Sequence, residues 1–219
     1  SGMMGSGRSE LMRLLFGADQ KDSGEIYLRG SNTPRRIHSP KDAVNAGLAM
    51  LTEDRKAQGL LLPLSIAANI SLAKMDAVSS RGWLHPSKEE SVSKRYIKQL
   101  SIRCHSVDQR VKTLSGGNQQ KVGMAKWLYT EPEILIFDEP TRGIDAGAKF
   151  EIYNLLKNLA REGRAIIVVS SDMLELFAIS DRIAVMSNGA LANIFTRGDW
   201  SEDKIMQAAL SNYMAGKAG

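Results

Sequence analysis

Apolar positions along the chain fall into short continuous runs in some stretches and into helical periods in others. Runs of four or five consecutive apolar residues predict strands with both faces buried, as in a parallel sheet. These runs are Leu48–Leu51, Ile134–Phe137 and Ala165–Val169. Alternation of apolar and polar residues over 24–30 predicts one more strand. The turn Asn188-Gly189 between 181–187 and 190–196 predicts a hairpin.

Helical periods account for most of the remaining chain. Leu11, Leu14 and Leu15 share one face of a predicted helix over 10–16, which ends at Gly17. The capping pattern Ser87-Lys88-Glu89-Glu90 predicts a helix that runs to about residue 100. Other helices are predicted at 40–46, 65–72, 145–161, 173–179, 201–210 and from Ser115 onward, with a loop at 79–86.

Strand signal is weak between about 64 and 128, so this stretch is predicted to be a helical subdomain. It is flanked by an α/β core formed by 1–63 and 129–219. A length of 219 residues is enough for one sizeable core, or for a core with a small subdomain. We therefore expect a single α/β domain with a helical insertion.

Composition excludes several classes of protein. No apolar run approaches the ~18 residues of a membrane-spanning helix, and no signal-peptide pattern opens the chain. With one cysteine, Cys104, an internal disulfide is impossible, which fits a reducing cytoplasm. The net charge of +5 is spread without a long basic run, and a solvated basic surface explains it better than a nucleic-acid partner.

The first nine residues contain a glycine-rich loop. Gly2, Gly7 and Ser9 fit the phosphate-loop pattern G-x-x-x-x-G-K-[ST], while Arg8 stands where lysine is expected. Such a loop turns its N–H groups inward and forms a nest for phosphate oxygens. The Ser9 hydroxyl would be offered to Mg²⁺. Because no strand precedes the loop, we expect the chain to be a piece of a longer polypeptide that lacks its first strand.

A second motif, Leu114–Lys121, places Ser115, Gly116 and Gly117 at the start of a helix. A helix start presents N–H donors and a partial positive charge, which suits an anion. The strand that follows ends in Asp138 and Glu139. Two adjacent carboxylates at the tip of a buried strand need a cation or polar partners, so this pair favours a functional interpretation.

Two other polar groups have simpler explanations. The charged stretch 52–60 follows a predicted strand, at the edge where α/β sheets bind ligands, but its composition alone favours a solvated loop. His85, Cys104 and His105 match no metal-ligand spacing, so no metal site is predicted there.

Together, the phosphate loop, Leu114–Lys121, Ile134–Thr141, the loop at Asp145 and the strand end at 170–172 resemble the motifs of ATP-binding-cassette (ABC) ATPases. The strings Gly-Arg-Ser, Thr-Glu-Asp-Arg-Lys and Leu-Ser-Gly-Gly-Asn-Gln-Gln-Lys resemble one branch in particular. This branch is the second cassette in the tandem ATP-binding subunit of ribose-, galactose- and arabinose-type importers.

The resemblance implies a P-loop NTPase-like α/β fold with a mainly parallel sheet. It implies that two cassettes sandwich each ATP between the phosphate loop of one and the signature of the other. Glu139 would polarise the attacking water, and Ser171 stands at the position of the switch histidine. Ser9, Asp138 and Glu53 are assigned to Mg²⁺. Residues assigned to ATP are Gly2, Gly5, Ser6, Gly7, Arg8, Ser9, Glu10, Ser115, Gly116, Gly117, Asn118 and Asp145.

The same resemblance implies partners and a location. They are a second cassette, transmembrane permease subunits and, indirectly, a periplasmic sugar-binding protein, with no nucleic acid. The cassette would lie peripherally on the cytoplasmic face of the bacterial inner membrane. The sugar is not encoded in this chain.

Three residues depart from the general pattern: Arg8 replaces lysine, Ser171 replaces histidine, and Glu53 lies where a glutamine usually senses the γ-phosphate. We expect slow turnover at the chain's own loop, with Ser115–Gly117 serving a faster partner site. Repulsion by Glu53 would need Mg²⁺ or Arg55 to offset it.

Three alternatives remain at this point. A soluble cassette ATPase acting on DNA or ribosomes would usually carry long coiled coils or basic arms, which are not seen. The three departures favour a non-hydrolysing regulatory nucleotide-binding module, which Glu139 disfavours. A scaffold that dimerises and binds nothing leaves Asp138 and Glu139 unexplained.

Overall fold

The computed structural model describes residues 1–28, 30–54 and 59–215, with side chains to residue 213. The chain divides into two compact units. Unit 1 comprises Ser1–Ala46 and Val168–Gly219, and unit 2 comprises Gly47–Ile167.

Unit 2 is organised around β1 (Leu48–Leu51) and β4 (Ile134–Asp138), which pair in parallel with Leu48 opposite Ile134. The strand order of this sheet is β1-β4-β5, where β5 is Ala165–Val169. All four residues of β1 are buried, as are the last four of β4. Burial of both faces explains the continuous apolar runs of β1 and β4. All three strands lie where the sequence predicted them, although β5 is mostly half-buried.

Residues 64–128 of unit 2 are mostly helical. The elements are α3 (Ile66–Ser71), a 3₁₀ turn (Leu72–Lys74), α4 (Met75–Val78), the two-residue strands β2 (Ser79–Ser80) and β3 (Trp83–Leu84), α5 (Pro86–Gln99), a second 3₁₀ turn (Val111–Thr113) and α6 (Gly116–Leu128). Helix α3 packs on α5 and α6. The Tyr96 hydroxyl donates to the carbonyl of Leu128 at 3.0 Å, which fixes α5 against the end of α6.

Unit 2 also holds α7 (Ala146–Arg161), and unit 1 holds the remaining elements. These are α1 (Arg8–Leu15), α2 (Pro40–Asn45), α8 (Met173–Ile179), β6 (Arg182–Ser187), β7 (Ala190–Thr196) and α9 (Glu202–Ala215). Strands β6 and β7 form the predicted antiparallel hairpin. Asn188 and Gly189 both have positive φ, as a two-residue hairpin turn of the I′ type requires.

The core of unit 1 lies where α8, the hairpin and α9 meet. Its buried members are Leu176, Ile183, Val185, Ile205 and Ala209. Ile205 is 1% exposed. The apolar face of α9 therefore covers the hairpin.

Truncating Ile205 to alanine is expected to destabilise the chain by about 2–5 kcal/mol, because the substitution leaves a cavity in this core. Chemical denaturation monitored by circular dichroism measures the change. The exposed Met206, next along α9, provides the control, and Met206→Ala should cost far less. Equal effects of the two substitutions would show that α9 is not packed as described.

Three predictions about elements were wrong. The stretch 24–30, apart from Arg29, which lies outside the described residues, contains only an isolated bridge between Ile26 and Arg35. Its end glycines, Gly24 and Gly30, have positive φ, which interrupts a ladder. The predicted loop 79–86 contains β2 and β3. Helix α5 begins at Pro86, so the Ser87 pattern does not cap it.

None of the helices in the described part of the chain has both the length and the apolar character that crossing a bilayer requires.

Candidate functional site

The glycine-rich loop of unit 1 is shaped as a nest. Gly5 and Gly7 have φ of 76° and 92°, and Gly7 is the N-cap residue of α1. Ser6 lies between them with 1% exposure, and its N–H donates to the Met3 carbonyl at 3.1 Å. Within the described part of the chain, the Ser6 hydroxyl is a buried polar atom without a hydrogen-bond partner.

The loop has no room for larger residues at its first glycine. A Cβ on Gly2 would lie 2.4 Å from the Met186 carbonyl oxygen and 2.6 Å from Ser6 Oγ. A tight loop with left-handed glycines and an unsatisfied inward hydroxyl fits a phosphate group, since phosphate oxygens accept hydrogen bonds from such donors.

Three site residues predicted from sequence open α1. Arg8 is half-buried, and its Nη1 donates to the Ser170 carbonyl at 3.1 Å. Ser9 is half-buried on the first turn, and Glu10 is exposed beside it. Ser171, the other unit 1 site residue, is exposed at the end of β5, one residue after the Arg8 contact.

Unit 2 holds the carboxylates at the end of β4. Asp138 is 3% exposed, and Glu139 follows it half-buried with a φ of 49°. A left-handed conformation is uncommon for a non-glycine residue. The turn continues with the Arg142 N–H donating to the Glu139 carbonyl at 3.2 Å. The left-handed turn therefore begins directly after the buried Asp138.

Glu53 forms an ion pair with Arg142 in the same unit. From the sequence, Mg²⁺ or Arg55 was expected to offset the negative charge of Glu53. Arg55 lies outside the described residues, and Arg142 was not foreseen as a partner. Because Glu53 and Arg142 are 42% and 61% exposed, the pair neutralises local charge more than it stabilises the fold.

The signature motif starts α6. Ser115 is the N-cap residue by backbone conformation, but its side chain makes no capping hydrogen bond. Its hydroxyl instead accepts a hydrogen bond from Asn118 Nδ2 at 2.9 Å. Asn118 Oδ1 in turn accepts from the Arg103 N–H at 2.8 Å. The motif's polar side chains are therefore tied to one another and to the segment before the helix.

A cavity of about 140 Å³ opens beside the signature motif. Its lining residues come from α6, from the start of α7 and from Arg103. They are Arg103, Ser115, Gly117, Asn118, Lys121, Asp145, Gly147, Ala148 and Glu151. The Asp145 side chain caps α7 through the Ala148 N–H at 2.9 Å. Four of the predicted ATP-binding residues thus line one cavity.

The far side of this cavity carries an ion-pair cluster that the sequence did not indicate. Lys121 is buried, and its Nζ lies 2.6 Å from Glu151 Oε2 and 3.0 Å from the Ser101 carbonyl. Arg103 Nη2 lies 3.3 Å from Glu151 Oε1. Two cations around α6 therefore converge on one carboxylate of α7. The partners are 20 or more residues apart in sequence, so no local pattern could have indicated them.

Hydrogen bonding to Lys121, followed by the attraction of its charge, holds the pKa of Glu151 below its ordinary value. A carboxyl group with a lowered pKa stabilises the fold above its unfolded pKa and loses that contribution as the pH falls through the folded value. We expect Glu151→Gln to lower the Tm near pH 7. The difference from wild type should shrink as the pH falls below about 4.3.

Thermal denaturation across this pH range provides the measurement. Glu90→Gln is the matched control, since Glu90 pairs with Lys94 at 2.7 Å on the exposed surface of α5. A Tm difference for Glu151→Gln that stays constant with pH, or only matches the control, would contradict the prediction.

Two of the residues that were considered as metal ligands from the sequence, His85 and Cys104, have other surroundings. His85 Nε2 lies 2.5 Å from Ser80 Oγ, and burial raises the pKa of the half-buried Cys104 thiol. Among the described His, Cys, Asp and Glu side chains, no group of three or more is arranged to hold a metal ion.

The ABC transporter family model matches residues 1–142, which is more than half of the chain. The chain belongs to the ABC transporter family. The cassette's fold agrees with solved relatives. A nucleotide-free ATP-binding cassette from an ABC transporter superposes with a TM-score of 0.78 at 21% identity, over 94% of this chain and 85% of that one. A dimeric cassette in a post-hydrolysis state bound to ADP and Pi gives 0.73 at 20% identity, over 91% and 84%.

Similar proteins of higher identity are named as sugar-import ATP-binding proteins. A putative ribose/galactose/methyl galactoside import ATP-binding protein 3 of Burkholderia cenocepacia is 49% identical over 95% of this cassette and 40% of its own length. The ribose import ATP-binding protein RbsA of Geobacillus kaustophilus is 47% identical over 95% and 42%. The cassette thus spans about two fifths of these relatives, which agrees with the resemblance to sugar importers and fits one cassette of a tandem protein.

Proposed function

We propose that this chain is an ATP-binding and hydrolysing cassette that powers monosaccharide import across the bacterial inner membrane. The unpartnered Ser6 hydroxyl, buried in a nest-shaped loop, carries the proposal that the loop takes a phosphate. Membership of the ABC family and the sugar-import names of the relatives support the coupling to transport.

The chain's own residues divide the chemistry between them. The loop N–H groups, the Ser6 hydroxyl and Arg8 hold the phosphates of ATP. Ser9 and Asp138, a hydroxyl and a buried carboxylate, each offer the oxygen donors that Mg²⁺ prefers, and Mg²⁺ when bound neutralises phosphate charge. Glu139, which has a left-handed backbone conformation directly after Asp138, orients and polarises the attacking water.

The signature cavity supplies its donors to the ATP held by a partner cassette. Ser115, Gly116 and Gly117 start a helix of 13 residues, so its first N–H groups and partial positive charge suit the γ-phosphate. Asn118 positions this segment through Ser115 and Arg103, and Asp145, which lines the same cavity, caps α7. Because Arg8 and Ser171 depart from the general pattern, turnover at the chain's own loop is slow and the partner's site is the faster one.

The charged loop that begins at Glu53 senses the state of the bound nucleotide and transmits it to the transmembrane subunits. Its pairing with Arg142, which follows the Glu139 turn, links it to the end of β4. A ligand that draws Glu53 toward Mg²⁺ would therefore have to compete with Arg142 for the carboxylate.

The whole 219-residue chain is one cassette, with 64–128 as its helical subdomain and 1–63 and 129–219 as its α/β core. Its partners are a second cassette in the same full-length polypeptide, transmembrane permease subunits and, indirectly, a periplasmic sugar-binding protein. It acts peripherally on the cytoplasmic face of the inner membrane. The two-fifths coverage of the relatives supports the tandem arrangement.

The experiment that tests this function measures ATP turnover of the purified chain as a function of its own concentration. A rate per molecule that rises with concentration means that two copies sandwich ATP and that Arg8 and Ser171 permit catalysis. A background rate at every concentration, with ATP bound, means that the chain needs a partner cassette's phosphate loop. Failure to bind ATP at all contradicts the proposal.

A second candidate function is a regulatory module that binds nucleotide without hydrolysing it. The substitutions at Arg8, Ser171 and Glu53 favour this candidate. It requires that ATP binding persist while turnover stays at background even when the partner cassette is present.

A further inference from the structure

Of the two departures in unit 1, Arg8 contacts the residue that directly precedes the other, Ser171. Arg8 Nη1 donates to the carbonyl oxygen of Ser170 at 3.1 Å, across 162 residues of sequence. Ser171, the residue at the position of the switch histidine, is the next residue along the chain. The cation of the phosphate loop is thus anchored on the peptide that joins Ser170 to Ser171.

The anchor itself is held firmly. Ser170 is 1% exposed, and its hydroxyl donates to Glu175 Oε2 at 2.5 Å while it accepts from the Asp172 N–H at 3.0 Å. Glu175 is 2% exposed, so this carboxylate cannot swing into solvent without disturbing the core of unit 1. The Ser170 carbonyl therefore presents an acceptor in a fixed position.

An arginine can bind this carbonyl and a phosphate oxygen at the same time more readily than a lysine can. The guanidinium carries five N–H donors in a rigid planar fork, so one N–H can hold a carbonyl while another addresses a phosphate oxygen. The lysine ammonium is a compact point charge on a flexible stem. A bridge from the loop to the Ser170 carbonyl would therefore be poorly reproduced by lysine.

We propose that Arg8 and Ser171 are a matched pair. The guanidinium, anchored on the Ser170 carbonyl, places at the γ-phosphate the positive charge that a histidine at position 171 would otherwise place there. The small Ser171 side chain leaves that space to the guanidinium. This inference rests on the proposed ATP-binding function, and it assigns the two departures a joint role in recognising the γ-phosphate.

A double-mutant cycle of Arg8→Lys and Ser171→His tests the pairing in the purified chain. Dissociation constants for ATP and for ADP are measured by displacement of a fluorescent nucleotide, and phosphate release is followed in parallel. We expect Arg8→Lys to weaken ATP binding by about ten-fold and ADP binding by less than about three-fold. Ser171→His alone should also weaken ATP binding, because two cations would compete for one space.

The double variant decides the matter. With histidine in place, lysine at position 8 should return ATP affinity to within about three-fold of wild type, and phosphate release should recover with it. If the effects of the two single substitutions on ATP affinity simply multiply, the pairing is overturned. A wild-type chain that does not bind ATP overturns the proposed function as well, so the two failures are distinguishable.

Arg13→Lys is the matched control on the same helix. Arg13 binds Asp19 through Nε and Nη2, each at 2.7 Å, and this pair lies on the surface of unit 1. Its ATP and ADP affinities should stay within about two-fold of wild type. Thermal denaturation checks that every variant is folded. If Arg8→Lys is not folded, the cycle is repeated with Arg8→Gln, which keeps a donor but no charge, and the same recovery by Ser171→His is required.

Discussion

Gly117→Asp is expected to reduce ATP turnover in the assembled transporter by about 10²–10³-fold, to background. The carboxylate would repel the phosphate that the signature motif is proposed to face. A side chain at this position also lacks room. A Cβ would lie 2.7 Å from Ala148 Cβ and 3.3 Å from Ile144 Cγ2, so α6 and α7 would have to separate. Phosphate release measured at saturating ATP gives the effect.

Two companion variants separate charge from packing. Gly117→Asn has nearly the same shape as Gly117→Asp without its charge, so it should retain more turnover. Gly117→Ala tests packing alone. Adding Ala148→Gly removes the atom in closest approach and should restore part of the stability that Gly117→Ala loses. The recovery is reduced by about 1 kcal/mol, the cost of a glycine within a helix. Equal losses for Asp and Asn would show that charge is not the cause.

Gly117→Asp in the signature motif should also reduce ATP hydrolysis more than removal of the phosphate-loop cation does. Arg8→Ala acts on the chain's own slow site, whereas Gly117→Asp acts on the partner's faster site. Transport-coupled hydrolysis should therefore fall less for Arg8→Ala than for Gly117→Asp. The reverse order would contradict the proposed division of labour between the two sites.

Glu139→Gln is expected to lower ATP turnover by about 10²–10³-fold while leaving ATP affinity close to that of wild type. The amide keeps the shape of the side chain and the left-handed backbone at this position, but it cannot polarise water as a carboxylate does. Turnover and equilibrium ATP binding are measured on the same preparation.

The matched control lies at the other end of the same stretch. Glu133 directly precedes β4, and its N–H donates to the Gly47 carbonyl at 2.9 Å. Glu133→Gln should therefore leave turnover within about two-fold of wild type. A regulatory module without hydrolysis would show no difference between Glu139→Gln and this control, which would favour the second candidate function.

The sheet and most helices could be predicted because their patterns are local. Strands β1 and β4 are buried on both faces, which produces their continuous apolar runs, whereas β5 is mostly half-buried. Helix α7 has Ile152, Leu156 and Leu159 on its buried face, at helical spacing. The hairpin has a turn pair, Asn188-Gly189, that suits only a few backbone conformations.

Helix α6 shows where periodicity stops being informative. Gln119, Gln120, Lys121 and Lys126 are all buried in it alongside apolar residues, so polar and apolar positions do not mark its outer and inner faces. The Lys126 ammonium donates to the Gly59 carbonyl at 2.6 Å, and burial lowers its pKa. Partners of this kind satisfy the buried cations, and they lie far away in the sequence.

In the candidate site, too, some residues could be predicted from the sequence and others could not. The residue types at the phosphate loop, the signature motif and the end of β4 could be identified from spacing and resemblance. Their partners could not, since Glu53–Arg142, Lys121–Glu151 and Arg8–Ser170 each join residues that are 30 or more positions apart. The contacts that tune these charges come from the tertiary structure alone.

The single cysteine has a practical consequence. Cys104 directly follows Arg103, whose N–H binds Asn118 in the signature motif. One thiol-reactive dye therefore labels one position beside the signature cavity without prior mutagenesis. Because burial raises the pKa of this thiol, labelling should proceed faster under mildly alkaline conditions. The attached dye would then report, in real time, when a second cassette closes over the motif.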